Sequence, residues 1–169
     1  MKRIAAIFLI IFIVILNLVS CADSPPESCR SVLLAMTKSE IALPAGRYYS
    51  SKAEEGSDEY LPDTLIVSLL GNGSMPPVSE GWLDCALFLS LNKHPCEFAV
   101  ILCRDSDTAK DTAKLLTLRL DVLRHEKKND QYADLLDNAT VTVIENYAIM
   151  TVSTDSKNAI REAKKLIFK

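Results

Sequence analysis

The stretch that decides the fold consists of two apolar segments on either side of a short turn. They are Trp82-Leu83-Asp84-Cys85-Ala86-Leu87-Phe88-Leu89-Ser90-Leu91 and Cys96-Glu97-Phe98-Ala99-Val100-Ile101-Leu102-Cys103, with Asn92-Lys93-His94-Pro95 between them. Two apolar runs of strand length around such a turn predict a β-hairpin. We expect the register that gathers the apolar positions on one continuous face. Its pairs are Leu91–Cys96, Leu89–Phe98, Leu87–Val100 and Cys85–Leu102.

The chain after this hairpin continues with the same succession of elements. Residues 141–144 and 147–152 predict a second hairpin, because β-branched and apolar residues flank a tight turn at Glu145-Asn146. A helix is predicted after each hairpin, since a capping residue is followed by apolar side chains at intervals of three and four. The first helix begins at Asp105 or Ser106 and ends near Lys128, and the second begins at Asp155 or Ser156 and ends near Lys165.

The two helices also share sequence when residues 105–119 are aligned with 155–169. Six of the fifteen positions are identical, against about one expected from average composition. They are Asp105/Asp155, Ser106/Ser156, Ala109/Ala159, Ala113/Ala163, Lys114/Lys164 and Leu116/Leu166. Ala99 and Ala148 match after an adjustment of one residue. Either the chain contains an internal repeat, or two capped amphipathic helices have converged on the same residues for the same physical reasons.

These elements predict an α+β domain in which two β-β-α units combine their strands in one antiparallel sheet. We expect both long helices to pack on a single face of that sheet. Two N-terminal helices, one starting at Pro26 and one over residues 62–70, are expected to cover an edge or the remaining face. Residues 41–60, with Pro44, Gly46 and Gly56, are expected to form a long irregular segment.

The N-terminus has the organisation of a bacterial lipoprotein signal peptide. Lys2 and Arg3 precede thirteen residues without a polar side chain, 4–16. As a helix these would span roughly 20 Å, against the ~30 Å of a bilayer core. Leu18-Val19-Ser20-Cys21 then matches the lipobox, so we expect cleavage before Cys21 and acyl chains attached through its thiol. The alternative is an uncleaved signal anchor with an unmodified Cys21.

Cleavage would divide the chain into a signal peptide, residues 1–20, a lipid-anchored linker, 21–25, and a single domain, 26–169. The domain is long enough to bury a hydrophobic core. Lys2 and Arg3 leave with the signal peptide, so the net charge of −3 becomes −5. Because no basic cluster with interleaved aromatics is present, nucleic acid is not an expected partner. The expected location is the extracytoplasmic face of the cell membrane, with the lipid as the membrane contact.

Four cysteines remain after lipidation, and their pairing is open. In the predicted register Cys85 and Cys96 lie about 20 Å apart and cannot form a disulfide. Cys103 is expected on the opposite face from Cys85. A bridge from Cys29 to one of these thiols stays possible on the spacing, as do buried free thiols. None of the spacings is that of a zinc or redox motif.

Five parts of the chain carry a resemblance to a known family. They are Leu43-Pro44-Ala45-Gly46-Arg47-Tyr48-Tyr49-Ser50-Ser51-Lys52-Ala53-Glu54-Glu55-Gly56, Tyr60-Leu61, Glu97-Phe98-Ala99-Val100, a helix carrying Arg119, and Asn146-Tyr147-Ala148-Ile149. From about residue 43 to the C-terminus, the chain resembles the domain of unknown function 4358 family, small bacterial lipoproteins largely of anaerobic Gram-positive bacteria. The resemblance implies a habitat and a lipid anchor, and it brings no catalytic residue. Glu145-Asn146 departs from the more usual glycine-asparagine turn.

Candidate catalytic, metal and cofactor sites are absent from the motifs. His94 lies in a predicted turn and His125 near the end of a helix, and neither has a serine or cysteine at a spacing that implies a catalytic triad. Asp105, Asp107 and Asp111 could suggest a cation site, but carboxylates at the start of a helix are expected for capping. We therefore expect no metal and no cofactor.

The predicted loop over residues 48–60 is the most unusual surface feature, since it concentrates three tyrosines and four carboxylates. Its candidate interaction residues are Tyr48, Tyr49, Glu54, Glu55 and Tyr60. The alternative is a structural loop whose tyrosines are half-buried. From the anchor and this loop we expect a non-enzymatic module of the cell envelope that binds a protein or small ligand. The alternative is a surface hydrolase or thiol-dependent enzyme whose site is assembled from residues distant in sequence.

Overall fold

The central hairpin forms with a register one residue away from the predicted one. In the computed structural model, which describes residues 26–71, 80–127 and 131–169, β2 (Trp82–Ser90) and β3 (Glu97–Cys103) are antiparallel. Phe88 pairs with Phe98 and Leu87 with Ala99, so the predicted register is wrong. Both faces of the hairpin are buried, and an apolar pattern on one face therefore cannot select the register.

The turn selects the register instead. Asn92 and Lys93 have positive φ values of 58° and 60°, and the His94 N–H donates to the Leu91 carbonyl at 3.2 Å. This is the geometry of a two-residue hairpin turn. Pro95, which has no N–H, adds one residue before the strands pair. The loop therefore has five residues, 91–95, where the predicted turn had four.

The sheet contains five strands in the order β1-β2-β3-β5-β4, with all neighbours antiparallel. β4 (Thr140–Ile144) and β5 (Tyr147–Val152) form the second hairpin as predicted, and Glu145 in its turn has a φ of 51°. β1 (Gly46–Ser50) pairs along the outer side of β2, so the prediction of an irregular segment over residues 41–60 is wrong there. A five-residue strand that begins with glycine and lacks alternation gives little sequence signal.

The helices follow their capping residues. The Asp105 carboxylate accepts the Thr108 N–H at 2.7 Å, and Asp155 accepts that of Asn158 at 3.0 Å, as the predicted caps require. The first N-terminal helix begins at Cys29, with Ser28 as its cap, and not at Pro26. A short helix near residue 135 was not predicted. The helices are α1 (Cys29–Lys38), α2 (Asp63–Leu70), α3 (Ser106–Glu126), α4 (Ala133–Asp137) and α5 (Ser156–Ile167).

The helices lie on both faces of the sheet, so the prediction of two long helices on one face is wrong. α1 and α5 cover one face, here called the α1 face, over Phe88, Phe98 and Ile149. α2, α3 and α4 cover the other, the α3 face, over Leu87, Ile101 and Met150. The α+β class is confirmed, and the sheet is the middle of three layers.

A difference of one residue explains why the two long helices separate. α3 is capped by Asp105, two residues after the end of β3 at Cys103, whereas α5 is capped by Asp155, three residues after Val152. Because side chains alternate between faces, one added residue directs the chain to the opposite side. If the two β-β-α units were a structural repeat, a two-fold axis would relate the antiparallel neighbours β3 and β5. Such an axis runs through the sheet and would keep both helices on one face. The sequence similarity therefore has no matching structural repeat, which favours convergence of capped helices.

The predicted signal peptide (residues 1–20), Cys21 and the linker (21–25) lie outside the described residues. Among the residues that are described, no helix is long and apolar enough to cross a membrane.

Gly46 is expected to be essential for docking β1. A Cβ added at this position would lie 2.5 Å from Phe88 Cε2 and 2.7 Å from the Leu89 carbonyl oxygen. We expect Gly46→Ala to reduce the free energy of unfolding by about 1–3 kcal/mol, as overpacking does. Ala45→Ser, at an exposed neighbour, should change it by less than about 0.5 kcal/mol. Urea unfolding of both variants measures the difference, and equal stabilities would contradict the packing of β1.

Candidate functional site

The predicted interaction residues lie in β1 and in a compact loop after it. The loop is closed by hydrogen bonds from the Ser50 N–H to the Glu59 carbonyl at 2.8 Å and from the Leu61 N–H to the Ser50 carbonyl at 3.2 Å. Glu54 and Glu55 are exposed on it, and Tyr60 is half-buried where it bridges to Ser50. The loop, residues 51–59 and here called the acidic loop, is thus a short ordered excursion with an acidic outer surface.

Tyr48 is held by contacts within the domain and is not presented as a free surface residue. Its ring centroid lies 5.0 Å from that of Phe88, and its hydroxyl donates to Thr37 Oγ1 at 3.0 Å. The Arg30 guanidinium lies over the ring, 4.7 Å from its centroid. Tyr49 points to the opposite face and packs partly against the α3-face core. The loop therefore presents carboxylates rather than tyrosines, and its role as an interaction surface stays a prediction.

A groove between the β2–β3 turn and the end of α3 is the candidate site that the structure adds. This cavity, called the turn groove, has a volume of about 400 Å³. Leu69, Leu89 and Leu123 supply apolar side chains. Its polar lining consists of Ser90, Lys93, His94, Glu97, Arg119, Glu126 and Lys127. Small-ligand pockets begin at about 300 Å³, so the turn groove is large enough for a small ligand, and its lining is more polar than that of most such pockets.

An ion pair forms the inner wall of the turn groove. Arg119 Nη2 donates to Glu97 Oε2 at 2.9 Å, and Nε donates to Oε1 at 3.3 Å. The Glu97 side chain is 7% exposed and the Arg119 side chain 17%. A two-point contact of this kind fixes both side chains in one orientation. Glu97 and Arg119 belong to separate parts of the family resemblance, and the fold brings them together.

His94 is held at the mouth of the groove by contacts on several sides. Its Nδ1 accepts the Cys96 N–H at 3.1 Å, the Ser90 hydroxyl donates to its carbonyl, and its ring centroid lies 4.5 Å from that of Tyr132. Burial, and then the charge of Lys127, lower the pKa of His94. The neutral ring with an acceptor Nδ1 carries its proton on Nε2. The Nε2–H of His94 is thus a hydrogen-bond donor held in a fixed position, whereas the sequence indicated only an isolated residue in a turn.

The other candidate residues lie apart from the groove's polar centre. His125 is exposed near the end of α3. Asp105 caps α3, while Asp107 and Asp111 form exposed ion pairs with Lys110 and Lys114, each at 2.8 Å. Within the described ranges, no group of three possible metal ligands occurs.

The four described cysteines are buried free thiols. Cys85 and Cys103 both lie in the α3-face core, so the prediction that they point to opposite faces is wrong, and the shifted register is the reason. Burial, followed by the nearby carboxylates Glu40 and Glu97, raises the pKa of Cys96 to about 12. Burial is also the first cause of the raised pKa of each of the other three. Nucleophilic cysteines need a lowered pKa and access to solvent.

Asp84 is a buried carboxylate that the sequence did not identify as important. It accepts the Cys29 N–H at 2.8 Å, the Cys85 N–H at 2.8 Å and the Ser51 hydroxyl at 2.9 Å. Cys29 is the first residue of α1, where a negative charge is favourable. Asp84 therefore joins α1, the acidic loop and β2 as a structural connection. The sequence signal that could have identified Asp84 is the position of a charged residue inside an otherwise apolar strand.

Comparisons with protein-family models, with curated proteins and with solved structures find no match to this chain. The resemblance to the domain of unknown function 4358 family thus stays an expectation carried by the residues quoted for it.

Removing one member of the Glu97–Arg119 pair is expected to be costly. Arg119→Met leaves a buried carboxylate without its partner, and we expect a loss of about 3 kcal/mol in the free energy of unfolding. Replacing both residues with methionine should recover most of that loss. Lys114→Met, which breaks an exposed pair, should cost less than about 0.5 kcal/mol. Chemical unfolding measures all three, and an Arg119→Met protein as stable as Lys114→Met would contradict the buried pair.

The described thiols are expected to resist alkylation in the folded protein. Because burial raises the pKa of all four, little thiolate is present at pH 8. In the time in which iodoacetamide fully modifies free glutathione, it should therefore modify none of the four thiols in the folded protein. After unfolding it should modify all four. Mass spectrometry of a Cys21→Ala protein counts the adducts. One thiol that reacts rapidly in the folded state would instead support the thiol-dependent enzyme.

Proposed function

We propose that the protein is an extracytoplasmic lipoprotein, attached to the outer face of a bacterial membrane through Cys21, whose domain acts by binding and not by catalysis. The turn groove carries the binding part of this proposal. The signal-peptide and lipobox pattern of residues 1–21 supports the anchor.

The construction of the groove favours binding because three of its polar residues, His94, Glu97 and Arg119, are held in place before a ligand arrives. The Glu97–Arg119 pair holds the inner wall, and hydrogen bonds on both sides of His94 hold the mouth. A preorganised site loses less conformational freedom when it binds. The same contacts disfavour catalysis by His94, since its Nδ1 already accepts a backbone N–H and not a serine hydroxyl or cysteine thiol.

The lining also indicates the class of ligand. Lys93, Arg119 and Lys127 are opposed by Glu97 and Glu126, so the groove is close to charge balance and has no strong preference for an anion. Leu89 and Leu123 provide an apolar wall. A volume of about 400 Å³ suits a molecule smaller than most drugs. We therefore propose a small amphipathic ligand with an acceptor for the His94 donor.

Photocrosslinking in living cells tests the binding proposal. A p-benzoylphenylalanine residue replaces Lys93, which lines the groove, or Lys114, an exposed lysine on α3 that serves as the control. After irradiation, mass spectrometry of the purified protein should reveal a small-molecule adduct at position 93 and none at 114. Adducts at both positions would indicate non-specific contact and contradict the proposal. A protein-sized adduct confined to position 93 would contradict the proposed small ligand but would still support the groove as a binding site.

The anchor is tested separately in the same cells. An alkyne fatty acid should label the wild-type protein, and the protein should fractionate with membranes. Cys21→Ala should lose both the label and the membrane association, because two or three acyl chains provide the stable attachment. A Cys21→Ala protein that is still labelled would show that the anchor assignment is wrong.

A further inference from the structure

A cavity with an apolar side and a polar rim of Arg104, Glu145 and Asn146 lies at the end of the domain where the described chain begins. It has a volume of about 390 Å³, and Pro26, Leu83, Leu102, Tyr147 and Ile167 are among its lining residues. Leu83 is 53% exposed, and Phe168, next to Ile167, is 60% exposed. We call this surface the tether face. Large apolar side chains that stay in solvent at one end of a domain, as Leu83 does beside this cavity, indicate a surface that contacts another apolar body.

The start of the domain is fixed against this surface. The Tyr147 hydroxyl donates to the Glu27 carbonyl at 2.6 Å, and Ser28 caps α1 immediately afterwards. Pro26 itself lines the cavity. A chain that continues toward the N-terminus must therefore leave the domain beside Leu83 and Ile167.

The length of the linker then decides what can cover the tether face. Four residues lie between Cys21 and Pro26, so the two are five residue steps apart, and a fully extended chain of that length spans at most ~18 Å. A domain of this size has a radius of gyration of about 15 Å, and its diameter exceeds the reach of the linker. When Cys21 is held at the membrane surface, only the end of the domain around Pro26 can approach the bilayer.

We propose that the tether face rests on the lipid bilayer that holds Cys21, with Leu83 and Phe168 in contact with lipid. This inference depends on the proposed lipid anchor and adds the orientation of the domain. Its charges agree with an apolar contact on a neutral surface. Arg104 is paired with Asp105 at 3.1 Å, Glu145 adds one negative charge, and the acidic loop leaves β1 at the same end. The contact is therefore strongest on uncharged lipid.

Site-specific fluorescence tests this orientation on the full lipidated protein. An environment-sensitive dye is attached to Leu83→Cys or Phe168→Cys, and to Leu118→Cys as a control, since Leu118 is 62% exposed on α3. The native thiols are buried and Cys21 carries the lipid, so the dye reaches only the new cysteine. Each protein is placed in phosphatidylcholine nanodiscs at one copy per disc, which excludes contact between copies.

The expected result is a shift to shorter wavelength and loss of most of the emission with brominated acyl chains at positions 83 and 168, with neither change at 118. If the protein stays on the discs but the dyes at 83 and 168 remain aqueous, the orientation is wrong and the anchor stands. A protein that does not associate with the discs would overturn both the lipid anchor and the orientation. A shift that occurs only in vesicles with many copies would assign the tether face to a second copy and overturn the proposal.

Discussion

The burial of β3 on both faces is the constraint on which the rest of the structure depends. All seven of its residues are buried, including Glu97, and it lies between β2 and β5. A strand in that position needs a helical layer on each side, because a sheet face left in water would expose a continuous apolar surface. α3, with α2 and α4 beside it, supplies one layer. α1 and α5 together supply the other, so the first described helix is part of the core rather than an accessory.

Burial on this scale leaves two carboxylates, Asp84 and Glu97, inside the described part of the domain, and each is compensated by two or more hydrogen bonds. Asp84 receives three hydrogen bonds where α1, the acidic loop and β2 meet, and Glu97 receives two from Arg119. A buried charge without such partners would destabilise the domain by several kcal/mol. The two carboxylates differ in what surrounds them. Asp84 is enclosed between elements, whereas the Glu97–Arg119 pair borders an open groove and can contribute to binding.

Local signals in the sequence were sufficient for α3, α5 and the second hairpin, because capping residues, helical periodicity and a tight turn act within a few residues. The faces to which α3 and α5 belong were not predictable in that way, since they depend on one residue in each connection. β1 was missed because its five residues have no alternation and gain their stability from β2. The turn groove was missed for a related reason. Arg119 and Tyr132 are distant in the chain from Glu97 and His94, and only the fold makes them neighbours.

The two proposed surfaces lie at opposite ends of the same strand. β2 begins at Trp82, beside the tether face, and ends at Ser90, which lines the turn groove. At about 3.3 Å per residue, nine residues place the two ends roughly 27 Å apart. A domain that rests on the bilayer through Leu83 therefore holds the groove away from the lipid, open to molecules dissolved outside the cell. Under these two proposals the short linker would set the orientation of the domain, because a longer one would let the domain turn and expose the groove to the membrane.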